Sequence, residues 1–228
     1  MTDEQIRIFP LGDSALTVEF GNVISVDLNR KAVALSEYFE LNPFPGFVES
    51  VPAYASTTFF YNVQTVKREF PANPTAFHAV KDLIVDTLEK IESSALNPGR
   101  RIEIPVRFDS DSALDLDHVA ETSGISKDEV IDIFTAVEYR VFMLGFLPGF
   151  SYMAEVDERI ATPRKETPRT HVPQGSVGIA GRQTGIYSLA SPGGWQIIGR
   201  TNVEMFTPTN AEPSYLQAGD IVRFIRGN

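Results

Sequence analysis

The 228-residue chain contains no cysteine, which excludes disulfides, a thiol nucleophile and thiolate metal sites. Only three histidines, His78, His118 and His171, are left as nitrogen ligands. Their scatter gives no ligand spacing, so no metal is expected. Nor does any apolar run approach the ~18 residues needed to cross a bilayer. Met1-Thr2-Asp3-Glu4 lacks the cationic start and apolar stretch of a signal peptide, and a cytoplasmic protein is expected. Positive charge is also scarce, with 20 Lys and Arg against 30 Asp and Glu and a net charge of -10. That balance, unbroken by a basic run, argues against a nucleic-acid partner.

What remains is the composition of ordinary folded domains, 43% hydrophobic and 22% charged. The length suits two domains of ~100–150 residues. In the first, Ile6 to Phe20 reads as two short strands around Pro10-Leu11-Gly12-Asp13. Leu28, Ala32, Leu35 and Phe39 share one helical face. Phe47 to Tyr54 and Thr57 to Val63 read as an antiparallel pair. A second helix, capped at Asn73-Pro74, carries Phe77, Val80, Ile84, Leu88 and Ile91 on one face. The order implies an α+β domain over residues 1–92 with helices on one side of a sheet. Residues 93–101, with Asn97-Pro98-Gly99, read as a linker.

The second domain, 102–228, opens on a strand with alternating Ile102, Ile104, Val106 and Phe108. Two short helices follow, one over Leu116 to Glu121 and one begun by the capping box Ser126-Lys127-Asp128-Glu129. Beyond Tyr139 the pattern breaks into short β-prone pieces, Tyr139 to Gly145, Ile186 to Leu189, Trp195 to Ile198 and Ile221 to Ile225. Gly and Pro punctuate them, which favours a mainly β barrel or sandwich.

Glycines at 175, 178, 181 and 185 lack the Gly-Lys-Ser/Thr ending of a phosphate loop and read as turns or close backbone approaches. Gly175-Ser176-Val177-Gly178 lacks the spacing of a nucleophile elbow. Residues 138–200 hold seven Lys and Arg against five Asp and Glu, a positive contrast within an acidic chain. Prolines at 163 and 168 stiffen the segment carrying Arg164 and Arg169, an arrangement suited to an anion. Phe146-Leu147-Pro148-Gly149-Phe150 cannot lie inside a regular strand and is read as the wall of a groove, with Trp195 nearby. Among the histidines only His171 is taken as a binding candidate.

The run Glu138-Tyr139-Arg140-Val141-Phe142-Met143-Leu144-Gly145 leading into Phe146–Phe150 resembles the signature of the allophanate hydrolase subunit 1 family. Ala161-Thr162-Pro163-Arg164, Val172 to Gly181, Gln183-Thr184-Gly185-Ile186-Tyr187 and Ser191 to Thr201 extend the likeness. Phe9 to Asp13 and Pro45 to Tyr54 carry it into the first domain. The family includes the B subunit of ATP-dependent 5-oxoprolinase and the KipI-like inhibitor of a sporulation histidine kinase. It is homologous to a domain of urea carboxylase.

The resemblance implies an α/β first domain and a cyclophilin-like β-barrel second domain. It further implies a non-autonomous subunit that acts with partner subunits A and C to open 5-oxoproline to glutamate, with ATP used by the complex. The alternative partner is a sensor histidine kinase, bound through Phe146, Phe150 and Trp195. Under the enzymatic reading, residue chemistry makes Arg164 and Arg169 candidates for stabilising developing negative charge and Glu138 a candidate base or orienting acceptor. Gln183, Thr184 and Tyr187 are candidates for binding the substrate's carboxylate or amide.

Two places depart from the family pattern. After Ile104-Pro105-Val106 the family shows Cys-Tyr-Gly-Gly-Glu-x-Gly-Pro-Asp-Leu, and here only Asp115-Leu116 of it remains. Phe134 stands where the family commonly has histidine.

Overall fold

The computed structural model describes residues 6–91 and 99–227. The chain divides into two compact units, Met1–Pro98 and Gly99–Asn228. Most of the segment read as a linker lies outside the described residues. Its C-terminal end is already structured, since the first strand of the second unit begins at Arg101. Among the described residues no helix is long and apolar enough to cross a membrane.

The first unit is α+β. Strands β1 (Arg7–Pro10), β2 (Ala15–Glu19), β3 (Phe47–Pro52) and β4 (Ser56–Tyr61) form an antiparallel sheet in the order β1-β2-β4-β3. Helix α1 (Val26–Leu41) is capped by Ser25, and α1 packs with α3 (Ala76–Ile91) and against the sheet. Leu35, Phe39, Phe59, Val80 and Ile84 meet in the core between them. A further helix, α2 (Val63–Glu69), occupies a stretch whose first residue the β-prone pattern had assigned to a strand. The cause is local: Asn62 Oδ1 accepts from the Thr65 N–H at 2.9 Å and starts a helix where alternation would have continued.

The second unit is mainly β. Its strands are β5 (Arg101–Val106), β6 (Glu138–Leu144), β7 (Ser151–Ala154), β8 (Arg169–Val172), β9 (Ser176–Ala180), β10 (Gln183–Ile186), β11 (Ser191–Gly193), β12 (Gln196–Arg200) and β13 (Ile221–Arg226). Seven of them form one sheet in the order β12-β9-β10-β7-β6-β13-β5, and β8 pairs separately with β11. Every pairing in the large sheet is antiparallel except β13 with β5. Just beyond β5, Arg107 exchanges both backbone hydrogen bonds with Arg200 of the opposite edge strand, at 2.8 and 2.9 Å. The sheet is thereby nearly closed into a barrel, which removes most of its exposed edge.

Helices α4 (Leu116–Ser123) and α5 (Lys127–Ala136) pack on the barrel, and α5 starts with the expected capping box. Phe134, at the position where the family pattern has histidine, is fully buried and stacks on Phe224 at 4.8 Å. Its role is core packing.

The glycines fall into two groups. Gly175 and Gly181 sit at positive φ in turns. Gly178 and Gly185 face one another across β9 and β10, interior strands whose backbone polar groups are committed to the ladder on both sides. They do not form a phosphate cradle. Of the strand expected over Ile186 to Leu189 only Ile186 lies in a strand, as the last residue of β10 (Gln183–Ile186).

Candidate functional site

The segment between β6 and β7 is a tight apolar turn. Leu147 N–H donates to Gly145 O at 2.8 Å, Phe150 N–H to Leu147 O at 3.0 Å, and Gly145 N–H to Phe150 O at 3.1 Å. The turn requires Gly149 at φ 74° and also places Phe146 at φ 67°. A left-handed conformation costs a non-glycine residue ~1–2 kcal/mol. Phe146 is nonetheless 61% exposed, so its ring is not held there by burial.

Behind it lies an aromatic cluster. The ring of Phe150 meets those of Phe146, Tyr152, Tyr187 and Trp195 edge-on, with centroids 4.8–5.5 Å apart. A cleft of about 220 Å³ opens over these rings, bounded by Arg164 and Pro168 on one side and Pro192 to Gly194 on another. Gly193 is needed there, because a Cβ at that position would lie 2.3 Å from the Tyr187 hydroxyl. Burial pushes the Tyr187 phenol above its ordinary value, which outweighs the opposing backbone hydrogen bond from Trp195 and nearby Arg164. Tyr187 is therefore a neutral group at physiological pH.

Arg164 lies over the face of Trp195, 5.7 Å from the ring centroid. The segment that carries it is held from below by Asp115. This aspartate occupies the position preceding α4 but makes no side-chain cap there. It instead accepts two hydrogen bonds from Arg169 at 2.7 and 2.6 Å, one from Lys165 at 3.1 Å and one from the Ile197 N–H at 2.7 Å. Lys165 N–H also donates to Gly194 O at 2.7 Å. Burial pushes the Asp115 carboxyl up, but the bonds from Arg169, Ile197 and Lys165 outweigh it and hold the group below its ordinary range. One carboxylate thus pins α4, β12 and both ends of the Lys165–Arg169 segment.

Residues 6–216 match the family described as carboxyltransferase domain, subdomains C and D. The chain belongs to this family. It is 44% identical over 221 residues to a Bacillus subtilis protein named as the B subunit of 5-oxoprolinase, covering 96% of this chain and 92% of that one. An Escherichia coli O157:H7 protein of the same name is 37% identical over 228 residues, covering 97% and 96%. The crystal structure of the protein TTHA0988 superposes with a TM-score of 0.79 at 36% identity over 94% of this chain. This chain spans only 39% of that longer one.

Within this carboxyltransferase-family chain, the residues expected at the site divide. Phe146, Phe150, Tyr187, Trp195 and Arg164 are brought together around the aromatic cleft. Arg169 is adjacent but turned inward, its guanidinium engaged by Asp115 rather than offered to a ligand. The expectation that it offers its charge to developing negative charge on a substrate is corrected accordingly. Glu138 is paired with Arg101 at the start of β6, about 20 Å of strand away from the Phe146 turn. Gln183 lies at the end of β10 remote from Tyr187, in register with Ala154 and Ala180. Thr184 is buried and donates to Gly178 O at 2.9 Å, so it serves the sheet. His171 is exposed on β8 and lines neither the aromatic cleft nor the larger cavity beside it.

Asp115 is not singled out by its sequence surroundings. In sequence it is one of several acidic residues between Asp109 and Asp117, which read as a solvated stretch. The available signal was its survival, with Leu116, from an otherwise replaced family motif.

Proposed function

We propose that this chain is the B subunit of an ATP-dependent 5-oxoprolinase and takes part, with A and C partner subunits, in converting 5-oxoproline to glutamate. The observation that carries the reading is 44% identity to the Bacillus subtilis protein of that name over nearly the full length of both chains. The Escherichia coli relative supports it at comparable coverage. That TTHA0988 continues far beyond the part matched here is consistent with a chain that works beside further protein segments.

The geometry suits a contributing subunit. Asp115, the buried carboxylate nearest the cleft, is engaged by two cations and is not a free base. The cleft offers instead an exposed arginine, aromatic faces and an apolar turn, groups that position and neutralise charge. Its glycines are committed to strands and turns, so no step of ATP chemistry is assigned to this chain. The barrel is read as cyclophilin-like, the support being its near closure and the aromatic cleft on its wall.

The test is reconstitution. The chain is co-expressed with its A and C partners, and ATP-dependent glutamate release from 5-oxoproline is measured with and without it. Turnover that requires this chain is expected; none from the intact complex would refute the reading.

A further inference from the structure

The large sheet of the second unit closes on itself only in part. β5 is its last strand and pairs in parallel with β13. Arg100 O accepts from the Ile221 N–H at 2.8 Å and Val106 O from the Gly227 N–H at 2.9 Å, so the even-numbered residues turn their backbone groups toward β13. The odd-numbered ones face away. Arg107, just past the strand, closes on Arg200, whereas the backbone groups of Arg101 and Glu103 have no partner on that side among the described residues. Pro105, between them and Arg107, has no N–H to offer.

Beside this free stretch lies a cavity of about 410 Å³, within the ~300–1,000 Å³ usual for ligand sites. Arg101 and Ile102 line it and no residue of β13 does, so it opens on the unpaired side of the strand. Its far wall is the loop that follows β12, with Glu204, Glu212 and Tyr215. That loop keeps its own hydrogen bonds, Thr207 N–H to Pro213 O at 2.8 Å and Tyr215 N–H to Met205 O at 3.0 Å, and is anchored in the core by Met205 and Leu216. It stands opposite β5 without pairing with it.

The charge around the slot is selective. Arg100 is held by Asp220 at 2.9 and 2.6 Å, and Arg101 pairs with Glu138. Glu204 has no ion pair among the described residues, and Glu212 accepts there only from the neutral Gln217 amide at 3.0 Å. Two arginines thus stand against four carboxylates. Glu103 on the strand is matched by Arg223, its neighbour on β13, so the negative excess is unchanged. Charged residues commonly guard a strand edge against pairing. These would turn away an acidic segment and admit a basic one.

We infer that the free edge of β5 receives, as an added strand, an extended segment of a partner protein about four residues long that carries lysine or arginine. The N–H and C=O groups of Arg101 and Glu103 pair with its backbone. The added strand stops at Pro105, where the donor is missing and the next position is taken by Arg200. Its basic side chains meet Glu204 and Glu212, with the ring of Tyr215, 43% exposed, as a further face for a cation. This edge shares no residue with the lining of the aromatic cleft and is independent of the 5-oxoprolinase reading.

The full chain is titrated with three acetylated and amidated peptides: Val-Lys-Val-Lys-Val, Val-Glu-Val-Glu-Val, and the lysine peptide methylated on its three central backbone nitrogens. Affinity is read from the backbone amide resonance of Ile102, which every variant below retains, and pairing from slowed amide exchange at Arg101 and Glu103. The lysine peptide is expected to bind at least about tenfold more tightly than either of the others and to slow exchange at both amides. Glu204→Gln combined with Glu212→Gln, both at exposed positions, should erase the preference for lysine over glutamate. Glu103→Pro, which removes an edge donor as Pro105 does two residues on, should weaken the lysine peptide at least about tenfold. If Glu103→Pro does not fold, the methylated peptide against the parent protein carries the backbone test. Equal binding of the lysine and glutamate peptides, binding without slowed exchange at Arg101 and Glu103, or no binding at millimolar peptide overturns the inference.

Discussion

Arg169 donates to Asp115 through two parallel hydrogen bonds, Nη1 to Oδ2 at 2.7 Å and Nη2 to Oδ1 at 2.6 Å, across 54 residues of chain. A paired fork of this kind fixes direction as well as distance. Removing one partner of a buried pair costs more than the pair itself contributes, because the remaining charge is left desolvated. Asp115→Ala strands Arg169, Lys165 and the Ile197 N–H together. We expect it to destabilise the second unit by about 3–5 kcal/mol, read as a lower denaturation midpoint at unchanged slope.

The two arginines of the segment should separate in their effects. Arg169→Ala exposes the same buried carboxylate and is expected to cost stability by about 3 kcal/mol. Arg164→Ala removes an exposed side chain that rests on the face of Trp195, and stability should change by no more than about 0.5–1 kcal/mol. Its effect falls on 5-oxoproline turnover by the complex, where at least a tenfold loss is expected. Thermal melts and rates on the same preparations would check both. A Tm for Arg169→Ala equal to that of Arg164→Ala would remove the clamp assigned to Asp115.

The same pair sets an acid limit. Asp115 titrates below the ordinary aspartate value of 3.8 in the folded protein. A depressed carboxyl contributes stability that is present above its unfolded value and lost as pH falls through its folded one. The contribution should therefore be constant from neutrality to about pH 4 and decline below it. Asp115→Asn, compared with the parent in urea melts from pH 7 to pH 3, should lower stability at neutrality. The difference between the two proteins should then narrow on acidification. A difference that widened toward pH 3 would contradict the assigned sign.

Much of the fold was legible because local signals agreed with it. Ser126 and Glu129 announced α5, and both halves of the capping box are made. Of the strands missed in the second unit, β9 and β11 carry glycines that imitate turns, whereas β7 and β8 carry none and are only four residues long. All five residues of β9 are buried, including Gly178, where a Cβ would press on Trp195 at 3.1 Å and Ile197 at 3.3 Å. Glycine there answers to the aromatic residues above it, a demand invisible along the chain. The cleft residues were legible in part, as aromatic side chains at an irregular Pro-Gly turn. Asp115 was not, because its meaning depends on partners 50, 54 and 82 residues away.

Trp195 is the single tryptophan and forms the wall of the aromatic cleft, so its fluorescence reports on that cleft alone. Gly193→Ala would put a methyl group 2.3 Å from the Tyr187 hydroxyl and 2.7–2.8 Å from its ring carbons. Tyr187 is 1% exposed and has no room to withdraw. Overpacking of this kind costs ~1–3 kcal/mol. We expect a loss of that size, together with a changed Trp195 emission maximum. An unaltered spectrum and Tm would mean that the Gly193 turn yields freely.

Phe146 offers the most direct separation of stability from function. Its ring is exposed and its backbone lies at φ 67°, so the residue carries a conformational cost without a compensating buried side chain. Glycine adopts that conformation freely. Phe146→Gly removes the strain and only limited packing, chiefly the edge contact with Phe150 at 5.5 Å. Stability should stay within about 1 kcal/mol of the parent, because the relief of ~1–2 kcal/mol opposes the lost contact. An exposed aromatic held in a strained turn beside an arginine has the make-up of an interface anchor. Association with the partner subunits should therefore weaken at least tenfold, measured by titrating labelled partner into each protein. Full-strength association by Phe146→Gly would show that the aromatic turn is not where the partners dock.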